Sequence, residues 1–228
     1  MQLTQDQDVF IIDTHRLGLL LRKLKPTLIP DKASAHYTNC VSLKTAPKEL
    51  EFCSTNGHCM TVVREKCLPR KGENETELPE WQAVVPWGIF EQSCKLAILS
   101  AESMEYKSYI GMVARDGKLL LGVMPSSEKE HSAPTFIEIA VAEHRYPKYT
   151  SALATFEQAA SAESNLNRLN YNSDLLVKVL AWPRSHRDKD IQSVILNAGS
   201  GLLVYFDSYP QKEIGSMAVR IVMAMHIE

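Results

Sequence analysis

The sequence predicts an α+β protein of repeated units, each a strand, an amphipathic helix and two or three more strands, with the helices on one side of antiparallel sheet. Three observations predict it. Apolar residues recur at helical spacing in stretches beginning near Thr14, Trp87 and Ser173. A short β-rich run precedes each stretch. The short apolar runs that follow the first two are punctuated by Asn56-Gly57 and Asp116-Gly117, dipeptides suited to tight hairpins. The repeat is one of pattern and not of residue identity.

The first unit opens with Val9–Asp13. Over Thr14–Lys25, Leu17, Leu20, Leu21 and Leu24 fall at i, i+3, i+4 and i+7, which builds one apolar helical face. Asp13 or Thr14 supplies the N-cap and Pro26 stops the helix. Strands are expected at Tyr37–Thr45, Leu50–Ser54 and Met60–Arg64, with turns at Ala46–Lys48 and Thr55–Gly57. Polar Lys66–Glu80 reads as a solvated connector.

The second unit begins with Trp81–Pro86 and a helix over Trp87–Ala101, whose stripe is Phe90, Cys94, Ala97, Ile98 and Ala101. Strands are expected at Tyr109–Arg115, Leu119–Met124 and Phe136–Ala142, with a polar loop at Ser126–Pro134. Thr150–Ser164 reads equally as a short helix or a linker. The third unit comprises a strand at Leu166–Tyr171, a helix over Asp174–Trp182 capped by Ser173 and stopped by Pro183, and strands at Ile191–Asn197, Leu202–Asp207 and Met217–Met225.

With 228 residues, 45% of them hydrophobic, the chain can bury one large core or two modest ones. A formal charge of −2 excludes a general polycation, so DNA contact would rest on a local basic face. The polar start Met1–Asp8 does not read as a secretory signal and no apolar run approaches a membrane span, so a cytoplasmic protein without a membrane partner is expected. Cys40, Cys53, Cys59, Cys67 and Cys94 include no CxxC pair and are expected as reduced, mostly buried thiols. Cys53, His58, Cys59 and Cys67 can be drawn as a zinc site, but strand alternation scatters them, and no metal or other cofactor is expected.

No hydrolase, metalloprotease or phosphate-loop motif is present. His58 beside Cys59 is a poor nucleophile pair, because neighbouring strand residues point to opposite faces. Asp13 and His15 read as a cap and a solvated side chain. No catalytic residue is expected.

The segment from Leu50 to Val63, Leu-Glu-Phe-Cys-Ser-Thr-Asn-Gly-His-Cys-Met-Thr-Val-Val, resembles the signature stretch of the bacterial DNA sliding clamps, the DNA polymerase III beta subunit family. There a strand runs through a Thr-Asp-Gly-His-Arg-Leu turn into the next strand. Tyr37-Thr-Asn-Cys-Val-Ser-Leu is similar to the family's Tyr-Leu-Asn-Gly strand, and Ala83-Val-Val-Pro-Trp87 to its Val-Pro strand before a helix. Glu143-His-Arg-Tyr-Pro-Lys-Tyr149 resembles its Gly-Arg-Phe-Pro-Asp-Tyr turn, and Val222-Met-Ala-Met-His-Ile227 its terminal Val-Met-Pro-Met-Arg-Leu. The motifs stand in the family's order across nearly the whole chain.

The resemblance implies a shortened clamp: residues 1–150 as a complete domain like the family's middle one, and 151–228 as the second half of a last one. It also implies an apolar cleft lined by Thr55, Gly57, His58, Met60, Pro147, Tyr149, Val222, Met223 and Met225, which takes short motifs of replicative or repair polymerases and clamp loaders. Methionines give such a cleft a soft wall. Asn56, Cys59, Met60, Thr150–Ala152, Ala224 and His226 depart from the family's motifs.

Clamp rings face their pore with helices, which makes Arg16, Arg22, Lys23 and Lys25 candidate contacts to double-stranded DNA, independent of base sequence. A solvated helix face is the plainer reading. The implied function is a non-enzymatic processivity factor in DNA replication that binds partner peptides and encircles DNA only if it assembles into a homo-oligomeric ring. The alternative is a clamp homologue that forms no ring and acts as a regulator or decoy for clamp-binding proteins.

Overall fold

The computed structural model describes residues 9–28, 37–68, 77–104, 108–125, 136–143, 146–151 and 154, and the backbone of strands at 191–197, 201–208 and 216–223. Strand β1 (Phe10–Ile12) leads into helix α1 (Thr14–Leu24). Asp13 caps that helix, its carboxylate accepting the Arg16 amide at 2.8 Å, an interaction that contributes about 1 kcal/mol. At Pro26 the chain tightens into a 3-10 turn over Lys25–Thr27, where a proline at the start forfeits no hydrogen bond. Thr27 Oγ1 and Ser54 Oγ both donate to the Leu24 carbonyl, at 3.1 and 3.0 Å, and so satisfy an acceptor left over at the helix end.

Tyr37–Asn39, expected as the start of a strand, forms a 3-10 turn instead. Strand β2 (Cys40–Ala46) begins where a ladder partner becomes available, Cys40 lying opposite Pro86 of β5 (Gln82–Pro86). Between them come β3 (Glu49–Thr55) and β4 (Cys59–Lys66). Helix α2 (Trp87–Glu102) follows β5 directly, with Pro86 as an N-cap that has no side-chain bond to give. Strands β6 (Ser108–Arg115) and β7 (Lys118–Pro125) flank Asp116 and Gly117, whose φ values of 50° and 71° are those a two-residue hairpin requires. Then come β8 (Phe136–Ala140), β9 (Ile191–Asn197), β10 (Gly201–Ser208) and β11 (Ser216–Met223). The segments expected at Leu166–Tyr171 and Asp174–Trp182, and almost all of Thr150–Ser164, lie outside the described residues.

The strands form two antiparallel sheets, one in the order β1-β6-β7-β8 and one in the order β5-β2-β3-β4-β11-β10-β9. A single apolar cluster joins both sheets to both helices. Phe52 and Leu50 of β3, Val63 of β4 and Leu43 of β2 meet Phe10, Met112 and Leu121 of the smaller sheet, with Leu17, Leu20 and Leu24 of α1 and Phe90, Cys94 and Ala97 of α2. Phe52 lies at the centre, 6.2 Å from the Phe10 ring and 6.5 Å from that of Phe90. Because side chains alternate along a strand, burying Leu50 and Phe52 against the helices turns Glu51, Cys53 and Thr55 to the other face of the sheet. The candidate site is on that other face.

Candidate functional site

The turn between β3 and β4 is built by its own side chains. Thr55 Oγ1 accepts the Gly57 amide at 3.1 Å and donates to the Cys59 carbonyl at 2.9 Å. Asn56 Oδ1 accepts the amides of His58 and Cys59 at 2.9 and 2.8 Å. An aspartate would offer the same oxygen, so Asn56 keeps the turn while removing a charge. Gly57 has φ 88°, a left-handed conformation that a side chain would strain. Gly57 and His58 are exposed, Thr55 is buried, and Met60 lies opposite Thr55 across the β3–β4 ladder.

The segment after β8 returns to this face. Tyr146 Oη donates to the Cys53 carbonyl at 3.0 Å, and Tyr149 Oη donates to Glu51 Oε1 at 2.8 Å. The two rings meet edge to face at 6.0 Å, and Tyr37 packs on Tyr146 at 6.4 Å. The Tyr37 hydroxyl stands 3.8 Å from where a Cβ on Gly57 would sit, so the aromatic row ends at the turn. Glu51 and Thr55 are four residues apart on one strand, which makes the row about 13 Å long. Burial raises both phenols above their ordinary range and keeps them neutral donors. The Cys53 thiol beneath Tyr146 is likewise pushed well up by burial. Pro147 is exposed between the two tyrosines, and its carbonyl accepts the Tyr149 amide at 2.8 Å, folding the segment sharply.

The C-terminal strands meet the same edge of the turn. β11 pairs with β4, setting Val222 opposite Cys59 and Ile221 opposite Met60, while Met223 pairs with Gly201 of β10. Of the nine residues expected around the cleft, Thr55, Gly57, His58 and Met60 thus share one hairpin, and Val222 is next to it on the sheet. Pro147 and Tyr149 belong to the segment anchored along β3. Met225 lies outside the described residues. Tyr37, Tyr146 and Glu51, absent from the expected set, are the groups that tie these pieces together.

The four basic residues of α1 divide into pairs. Arg16 Nη2 is 2.5 Å and Lys23 Nζ 3.9 Å from Glu65, a carboxylate on β4 with a side chain only 2% exposed. Arg22 and Lys25 are exposed, with Lys25 3.5 Å from Glu91 of α2. Lys95 is 2.8 Å from that same glutamate. On the outer side of α2, Ile89, Leu96 and Leu99 are 51%, 57% and 62% exposed, and their spacing places them on one face. Among the described residues no group of three or more His, Cys, Asp or Glu is arranged to hold a metal ion, and no helix is long and apolar enough to cross a membrane.

No family model matches the sequence, and no curated protein matches it. Solved structures do match in shape. The DNA polymerase sliding clamp from Bacillus subtilis is similar over 100% of this chain and 67% of its own, at 13% identity and a TM-score of 0.57. The chain has the sliding-clamp fold. A putative DNA polymerase III beta subunit from Eubacterium rectale agrees over 99% of this chain and 67% of its own, at 9% identity and a TM-score of 0.60. A sliding clamp from Pseudomonas aeruginosa bound to griselimycin agrees over 100% and 68%, at 14% identity and a TM-score of 0.55. This chain therefore spans about two thirds of a clamp. At such identities the likeness is one of fold.

Proposed function

We propose that this protein is a peptide-binding module of the sliding-clamp type rather than an enzyme, acting in the cytoplasm on proteins of DNA replication. The observation that carries the reading is the row Tyr37–Tyr146–Tyr149, which runs along β3 into the Thr55–Met60 turn. An exposed turn backed by a neutral aromatic row suits an extended peptide held by a few apolar anchors. The ligands are short motifs of polymerases, repair factors and clamp loaders. The motif resemblance assigns Val222, Met223 and Met225 to the same cleft, with residues 1–150 read as a middle-like domain and 151–228 as part of a last-like one.

Fluorescence anisotropy with a labelled peptide carrying a bacterial polymerase's clamp-binding motif tests the reading. Saturable binding that weakens in Met60→Ala and in a Met223→Ala/Met225→Ala double variant is expected. No binding, or equal binding by all three proteins, overturns it.

Two routes to function remain distinct: a homo-oligomeric ring around double-stranded DNA, and a regulator that works off DNA. The outer face of α2 favours the second. Arg16 and Lys23 turn to Glu65, Lys25 and Lys95 share Glu91, Arg22 is exposed, and α2 presents Ile89, Leu96 and Leu99. A face that tracks phosphates is lined by Lys and Arg, and that of α2 is apolar. Retention on circular DNA, with release when the circle is cut, would overturn the off-DNA reading. Indifference to DNA, with a solution mass independent of it, supports it.

A further inference from the structure

Resting on the peptide-cleft reading, we propose that Glu51 is the positioning residue of the cleft: by holding the Tyr149 hydroxyl it fixes the distance between the 146–151 segment and the Thr55–Met60 turn.

Both carboxylate oxygens are occupied, and in different directions. Oε1 accepts from Tyr149 Oη at 2.8 Å, and Oε2 accepts from Arg64 Nε at 2.7 Å. Arg64 sits on β4, so the carboxylate is braced by the neighbouring strand and cannot swing without losing an ion pair. The glutamate is 7% exposed, which makes this a charge-assisted hydrogen bond shielded from water. The 146–151 segment buries the rings of Tyr146 and Tyr149 on this face of the sheet, and both hydroxyls hydrogen-bond to β3. The bond from Tyr146 goes to a backbone carbonyl and survives most substitutions. The bond from Tyr149 goes to a side chain, and is the one the sequence can change. From Tyr149 the edge-to-face contacts pass through Tyr146 to Tyr37 and so to Gly57, which lets a shift at one end of the row move the other.

The same labelled peptide, titrated against wild type, Glu51→Ala, Glu51→Gln, Tyr149→Phe and Arg64→Ala, with a thermal melt of each, tests the assignment. Losing a hydrogen bond to a charged acceptor corresponds to about tenfold in affinity. Glu51→Ala and Tyr149→Phe are each expected to weaken the peptide by about that factor, and their double variant no further. Glu51→Gln, which still offers Tyr149 an acceptor, restores binding. Arg64→Ala lowers the melting temperature more than it lowers affinity. If wild type binds and the Glu51 and Tyr149 variants bind within twofold of it, the positioning role is wrong and the cleft stands. If wild type fails to bind, the cleft reading itself has failed. Should Glu51→Ala not fold, Tyr149→Phe, which removes one oxygen, decides alone.

Discussion

Arg16 of α1 and Glu65 of β4 form a forked contact, with Nη2 2.5 Å and Nε 3.1 Å from one carboxylate oxygen, while Lys23 lies 3.9 Å from the other. The contact ties the first helix to the middle of the larger sheet. A charge buried in this way is tolerated because its partners stay with it, and removing one partner costs more than the pair contributes. Glu65→Gln leaves Arg16 and Lys23 crowded together without an anion, and is expected to destabilise the fold by about 3 kcal/mol. Urea denaturation measures this directly; an unchanged midpoint would mean the cluster is solvated and idle.

Tyr146 and Tyr149 carry a pH signature. Burial raises both phenols above their ordinary range in the folded chain, while the unfolded chain ionises near pH 10. The folded state binds those protons more tightly, so their contribution is intact below about pH 10 and declines as the pH rises beyond it. Two of the eight tyrosines should therefore ionise only together with loss of tertiary structure. Tyrosinate absorbance followed beside circular dichroism checks this, and smooth ionisation of all eight in a folded chain would contradict the packing of the row.

The thiols should divide by burial. Cys53 and Cys94 are enclosed and their thiols are pushed well up by burial, Cys40 and Cys59 are also buried, and Cys67 is half-buried. A thiol reagent at neutral pH is expected to label Cys67 first and the other four only on addition of denaturant. Peptide mass mapping gives the order. Rapid native labelling of Cys53 would show that Tyr146 does not cover it.

The outer face of α2 offers a gain-of-function check. Leu96→Lys and Leu99→Lys alter exposed positions and should change stability by no more than about 0.5 kcal/mol. The double variant is expected to bind double-stranded DNA more tightly than wild type, in a salt-sensitive way. Comparable affinity in wild type would restore the ring reading.

The elements set by local chemistry were legible in the sequence. The leucine stripe, Asp13 and the Asn-Gly and Asp-Gly turns located α1 and two hairpins because their signals act within a few residues. The start of β2 was misplaced at Tyr37 because a strand begins where a ladder partner begins, which local propensity does not encode. The site was legible where the turn builds itself, at Thr55–Met60. Tyr37, Glu51 and Tyr146 all lie in the clamp-like motifs, but their part in the site is not legible there, because the bonds join positions as far as 93 and 98 residues apart. Arg16 and Lys23 read as solvated from helical phase alone, but their long side chains reach a carboxylate 49 residues away from Arg16 in the chain.

Hydrogen exchange of the full chain with and without a saturating clamp-binding peptide tests the central claim most directly. The account predicts that peptide slows exchange at 55–60 and 146–151, with α2 unchanged. Protection confined to the Ile89–Leu99 face, or none anywhere while the peptide is bound, would contradict it.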